Sequence, residues 1–144
     1  GYRGNNLQAI RLDDARGDIA ATGAIVWQRD RDTPYVPSPL LYDEALYVIK
    51  SNDGILSVFD PETGEPHYAL QRLAGVPNIF ASPVGAAGRV YIPGREGTTL
   101  VIRHGPEFEI LATNTLDDGF DASPAIVGDE MYLRGRQYLY KIAE

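Results

Sequence analysis

The acidic residues offer the first candidate chemistry. Asp117, Asp118 and Asp121 fall in one short stretch, LDDGFDASP, while Asp30, Arg31, Asp32 and Tyr35 fall in a second, QRDRDTPYVPSP. Clustered carboxylates can hold calcium, which takes several oxygen ligands, or can meet a polar ligand from a loop. The spacing of Asp117, Asp118 and Asp121 matches no known calcium loop, so no metal is assigned. The same charges also suit solvated loops, and both readings stand on sequence alone. His67 and His104 have no second ligand at metal spacing, and an edge or solvated histidine is the plainer account of each. There is no Gly-x-Ser-x-Gly elbow, and GREGTTL lacks the Lys of a phosphate-binding loop. With no cysteine in 144 residues, thiolate nucleophiles, disulfides and cysteine zinc sites are excluded.

Charge narrows the partner classes. The formal net charge is −7 and the 13 basic residues are scattered, so phosphate-backbone binding to nucleic acid is not supported. No apolar run approaches the roughly 20 residues that cross a bilayer as a helix. The opening GYRGNNLQ has neither Met nor an apolar signal core, and reads like the interior of a longer protein.

The elements that would position these charges are written as a repeat. Ser38, Ser82 and Ser123 each precede a proline, at spacings of 44 and 41. An apolar-Tyr pair follows each one: Leu46-Tyr47, Val90-Tyr91 and Met131-Tyr132. A glycine comes next, Gly54, Gly97 or Gly135, and then a β-rich run: ILSVF, TTLVI or QYLYKI. The opening GNNLQAIRL matches this last part, with Gly4 in the glycine position. The runs are short, rich in Val, Ile, Leu, Tyr and Phe, and bounded by turn residues, which predicts strands. One complete repeat predicts four, over 38–42, 45–50, 55–60 and 66–72. The Asp53-Gly54 pair predicts a tight turn with positive φ, and VGAAGRV and IVGDEM predict two more hairpins. Leu7 to Ala20 is the nearest approach to a helical period, weakened by Gly17. A four-stranded antiparallel unit repeating about every 40–45 residues predicts an all-β fold, a partial β-propeller of about three blades' worth, not a closed ring. The units divide 1–144 into a blade tail 1–35, blades 36–80 and 81–121, and an incomplete blade 122–144.

These residues resemble the PQQ-like, quinoprotein-type propeller repeat. In LSVFDPETGEPHY, Leu56, Asp60, Thr63, Gly64 and Tyr68 fit its pattern, and Thr22, Gly23 and Trp27 fit it in TGAIVW. The third repeat replaces Thr-Gly with HGPEFEIL. The whole sequence looks like the C-terminal portion of an uncharacterised bacterial family of this type. Trp27 and Tyr68 are expected to be core rings between blades rather than cofactor contacts. The resemblance implies a periplasmic or secreted protein. It does not carry over the Trp platform, calcium site or catalytic Asp of working quinone dehydrogenases, so neither PQQ nor calcium is supported.

The linkers between blades share a face with the second hairpin of each blade, which gathers the candidate binding residues: Asp30, Arg31, Asp32, Tyr35, Arg95, Glu96, Asp117, Asp118 and Asp121. Lys50 to Asp53, Arg134 and Arg136 are expected on the same face. The function read from this is a non-catalytic binding or scaffold module that takes a protein or polar ligand on its loops. The alternative is a fragment of a quinoprotein-type oxidoreductase whose active residues lie elsewhere. Because propellers use about four to eight blades, the strand count predicts a missing portion of propeller or association through open blade edges.

Overall fold

A computed structural model describes residues 4–143, which contain thirteen strands and two short 3₁₀ turns. The strands form four separate antiparallel sheets. The first holds β1 (Leu7–Ile10) and β2 (Ile25–Arg29). The second is β3 (Leu40–Tyr42), β4 (Ala45–Ile49), β5 (Ile55–Phe59) and β6 (Pro66–Arg72), in sequence order. The third is β7 (Val84–Ala86), β8 (Arg89–Pro93), β9 (Thr98–Arg103) and β10 (Ile110–Thr115), again in sequence order. The fourth is β11 (Ala125–Val127), β12 (Glu130–Arg134) and β13 (Leu139–Ala143). The protein is therefore a partial β-propeller whose sheets do not close a ring. Glu144, where the sequence places the end of the last blade, lies outside the described residues.

Blades form here because the middle strands are apolar on both sides. β4, ALYVI, buries four of its five residues, and β5, ILSVF, does the same. A strand sandwiched between neighbours needs this near-continuous run rather than an alternation. On one side Tyr47, Ile49, Leu56 and Val58 pack with Val90, Ile92, Leu100 and Ile102 of the next blade, all within 1% of full burial. Leu73, Val76 and Ile79 seal this core from the linker. On the other side Phe59 is buried, with the Arg29 guanidinium 4.3 Å above its ring.

Two-residue loops close the first hairpin of each blade: Tyr42 pairs with Ala45, Ala86 with Arg89 and Val127 with Glu130. The first loop residue has positive φ in all three, at Asp43, Ala87 and Gly128. The expected turn at Asp53-Gly54 differs. Its positive φ belongs to Ser51, and Gly54 is required for another reason. A Cβ on Gly54 would stand 1.9 Å from the Val76 carbonyl oxygen, where the linker crosses to the next blade. Helical character between Leu7 and Ala20 is limited to 3₁₀ turns at Leu12–Asp14 and Ile19–Ala21, with β1 preceding them.

The Ser-Pro repeat has a role beyond holding the backbone extended. Ser38 donates its amide to the Ser82 hydroxyl at 2.9 Å, and Ser82 donates its amide to the Ser123 hydroxyl at 2.9 Å. One hydroxyl per repeat thus ties each inner strand to the next. In β6, Ala69 and Leu70 bulge opposite Ser57, whose buried hydroxyl accepts the Leu70 amide at 3.0 Å. No helix among the described residues is long and apolar enough to cross a membrane.

Candidate functional site

The second hairpins of the three larger blades and the linkers between blades meet on one face. Ser51 donates its amide to Thr33 O at 2.9 Å, and Tyr35 returns its own to Ser51 O at 3.2 Å. One junction further, Gly54 and Ile79 donate to Pro77 O and Asn52 O, each at 2.9 Å. The next is stitched by Leu116 N to Gly97 O at 3.1 Å and Arg136 N to Gly119 O at 3.0 Å. Loops cross-bonded in this way hold their backbones in fixed relative positions.

Asp118 is the anchor of the last junction. Its Oδ1 accepts the amides of Gly119 at 2.7 Å, Arg136 at 2.9 Å and Gln137 at 3.2 Å. Its Oδ2 accepts the amides of Gln137 and Tyr138, each at 3.1 Å, and the Tyr140 hydroxyl at 3.2 Å. Burial pulls this carboxyl upward, but the amides of Gly119, Tyr138 and Gln137 and the Tyr140 hydroxyl together hold it below the usual carboxylate range. A carboxylate so fully occupied ties the linker to the β12–β13 hairpin and leaves little capacity for a ligand.

Asp121, three residues on, is held by side chains instead. Arg95 Nε lies 2.6 Å from its Oδ1, and Arg136 Nε lies 3.1 Å from its Oδ2, with Arg136 Nη2 at 3.3 Å from Oδ1. The bonds from Arg136 and Arg95 hold its carboxyl below the usual range. Arg95 stacks on Phe80, 3.9 Å from guanidinium carbon to ring centroid. Glu96 accepts from Asn78 Nδ2 at 2.9 Å, and Asp117 is exposed. Around these residues lies an open depression of about 580 Å³, lined by Arg95, Glu96, Asp117, Asp118, Arg136 and Gln137.

The other charged loop does not join this cluster. Asp32 pairs with Lys50 at 2.9 Å. Asp30 and Arg31 point into solvent, 95% and 82% exposed, and approach each other only to 4.0 Å. Tyr35 is half-exposed and joined to the β4–β5 hairpin by its backbone. The nine candidate residues thus separate into an Arg95–Asp121 cluster with Glu96, Asp117 and Asp118 around it, and a separate loop holding Asp30, Arg31, Asp32 and Tyr35. Arg136 and Phe80 complete the cluster. The repeat places Arg136 on this face in advance, whereas Phe80 carries no charge and gives no signal in the sequence.

Among the described residues no group of three or more His, Asp or Glu side chains is arranged to hold a metal ion. His104 lies against the preceding blade. Its Nδ1 meets the Tyr47 hydroxyl at 2.8 Å, its Nε2 is 3.6 Å from Asp43, and its ring centroid is 4.6 Å from that of Tyr42. His67 is exposed on β6. Trp27 donates from Nε1 to Pro61 O at 2.9 Å and lies against Gly64, where a Cβ would come within 2.7 Å of its ring. Tyr68 packs edge-on against Phe108 of the next blade at 5.8 Å.

No family model and no curated protein matches the sequence. In three dimensions the protein is similar to the computationally designed Ika4 protein, at 16% identity and a TM-score of 0.64, over 85% of this chain and 74% of that one. It is also similar to BamB from Moraxella catarrhalis, at 15% identity and a TM-score of 0.52, over 96% of this chain and 51% of that one. The protein therefore spans about half the length of BamB. At these identities the likeness shows a β-propeller-like fold.

Proposed function

We propose that this partial propeller is a non-catalytic binding or scaffold module of the PQQ-like type, presenting its loop face to a protein or polar ligand in a periplasmic or secreted setting. The observation that carries the reading is the Arg95–Asp121–Arg136 cluster beside its open depression, on loops cross-bonded to one another. Rigid, charged and concave surfaces at loop ends suit recognition of a polar partner. The reading assigns the protein no quinone and no calcium. Association with further blades, or with another copy, through the outer edge of β13 belongs to the same reading, since Leu139 and Ile142 are exposed there.

A peptide library panned against the wild-type protein and against an Arg95→Ala, Glu96→Ala, Arg136→Ala variant tests the loop face. Sequences enriched on the wild type alone support it. Equal enrichment on both proteins places recognition elsewhere. Saturable binding of quinone in the presence of calcium would instead favour an oxidoreductase fragment.

A further inference from the structure

We propose that Asp121 is a resident stand-in for the ligand of the loop face: Arg95 and Arg136 take a carboxylate from the partner, and Asp121 occupies them until that carboxylate replaces it. The inference rests on the binding-face reading above and specifies its chemistry.

The geometry is that of an occupied receptor. Two guanidinium groups converge on one carboxylate through Arg95 Nε and through Arg136 Nε and Nη2. Each guanidinium carries five N–H donors in a planar fork, so the pair can serve more acceptor oxygens than Asp121 supplies. The Arg95 cation and the Arg136 backbone are held independently of Asp121. Arg95 rests on the Phe80 ring, and the backbone of Arg136 is fixed by Asp118 and by Gly119 O. If Asp121 swings away, Phe80 still supports the Arg95 guanidinium and the Arg136 backbone stays anchored, which supplies part of the preorganisation that a binding site needs.

Exposure separates an exchangeable contact from a fixed staple. The side chains of Asp121, Arg95 and Arg136 are 40%, 34% and 51% exposed, so an incoming group can reach them and water can solvate the displaced one. Asp118 shows the opposite arrangement only three residues earlier, with both oxygens committed to backbone amides. The surroundings also select the ligand. Glu96 and Asp117 share the depression with the two arginines and repel dense negative charge such as phosphate. A single carboxylate flanked by basic or neutral residues fits, either an acidic side chain or the free C-terminus of a peptide.

The test is fluorescence anisotropy with three labelled Lys-containing peptides. One carries an internal Asp and an amidated end, one carries only a free C-terminal carboxylate, and one carries no carboxylate. Each is titrated with the wild type, Asp121→Asn, Asp121→Ser, Arg95→Gln and Arg136→Gln, with inorganic phosphate as competitor. The expected result is binding of at least one carboxylate peptide that tightens about fivefold in both Asp121 variants, the worth of an exposed ion pair. It is lost in both arginine variants and survives phosphate. Which carboxylate peptide binds identifies the source. Equal or weaker binding by the Asp121 variants overturns the proposal, as does absence of binding to every protein. Equal binding of the carboxylate-free peptide overturns it too, while peptides enriched by panning on the loop face would leave the broader reading intact.

Discussion

The amide of Ser82 donates to the hydroxyl of Ser123 at 2.9 Å across 41 residues of sequence, and Ser38 stands in the same relation to Ser82. Each serine except the first therefore serves the repeat before it, which explains a feature of the sequence that proline geometry alone does not require. Ser82→Ala and Ser123→Ala each remove one acceptor and strand one amide. Each is expected to cost about 0.5–1.5 kcal/mol in denaturant unfolding. A loss near zero would show that water replaces the hydroxyl at no cost.

Gly54→Ala is expected to be among the most damaging single changes, at about 3 kcal/mol or more, because backbone rather than a mobile side chain stands 1.9 Å from the added carbon. Gly128→Ala has open space around it and meets only its positive φ, so its expected cost is about 1 kcal/mol. Thermal melts of the two variants give the comparison. An order in which Gly128 costs more would contradict the close approach at the linker.

Asp118 and Asp121 both have carboxyls held below the usual range when folded. Their contributions are therefore complete above the unfolded-state Asp value of about 3.9 and are lost as pH falls through the lower folded value. Stability measured from pH 7 down to pH 2 is expected to fall in this acid range. In Asp118→Asn, which cannot accept the same set of amides, the fall should be shallower from a lower plateau. An unchanged acid limb in that variant would remove Asp118 from the account.

Two tyrosines of one core call for opposite outcomes. Tyr47 accepts the Gly105 amide at 3.0 Å and meets His104 at 2.8 Å, so Tyr47→Phe strands both partners and should cost about 1–2 kcal/mol. Among the described residues the buried Tyr68 hydroxyl has no hydrogen-bond partner, so Tyr68→Phe should be neutral or stabilise by up to about 1 kcal/mol. Burial disfavours the phenolate and pushes the Tyr47 and Tyr68 hydroxyls above the usual tyrosine range. Their neutral forms add stability below pH about 10, and this is lost as pH rises through the folded values. Alkaline unfolding of the two variants alongside the wild type checks both signs.

The strands are legible in the sequence because each blade repeats the same wording, and repetition averages out local ambiguity. The four expected at 38–42, 45–50, 55–60 and 66–72 appear at 40–42, 45–49, 55–59 and 66–72. Gly54 reads as a turn glycine because short-range pattern carries φ but not the passage of Val76, which is distant in sequence. The loop face is legible as a location, since linker and hairpin order follow from strand order. Its internal pairing is not. Asp118 and Asp121 have the same side chain and sit three residues apart, yet one faces backbone amides and the other faces two arginines. Only the crossing of two blades decides between them.

The serine hydrogen bonds run in one sense: donor in the earlier repeat, acceptor in the later one. A segment duplicated or deleted between two equivalent serines would restore every donor to an acceptor, whatever the length of the outer strands it carried. A segment that is not a whole number of repeats would leave the serines out of step. The bonds thus act as a coupling of standard gauge, which lets whole blades be added or removed as units while the interior of each remains free to diverge.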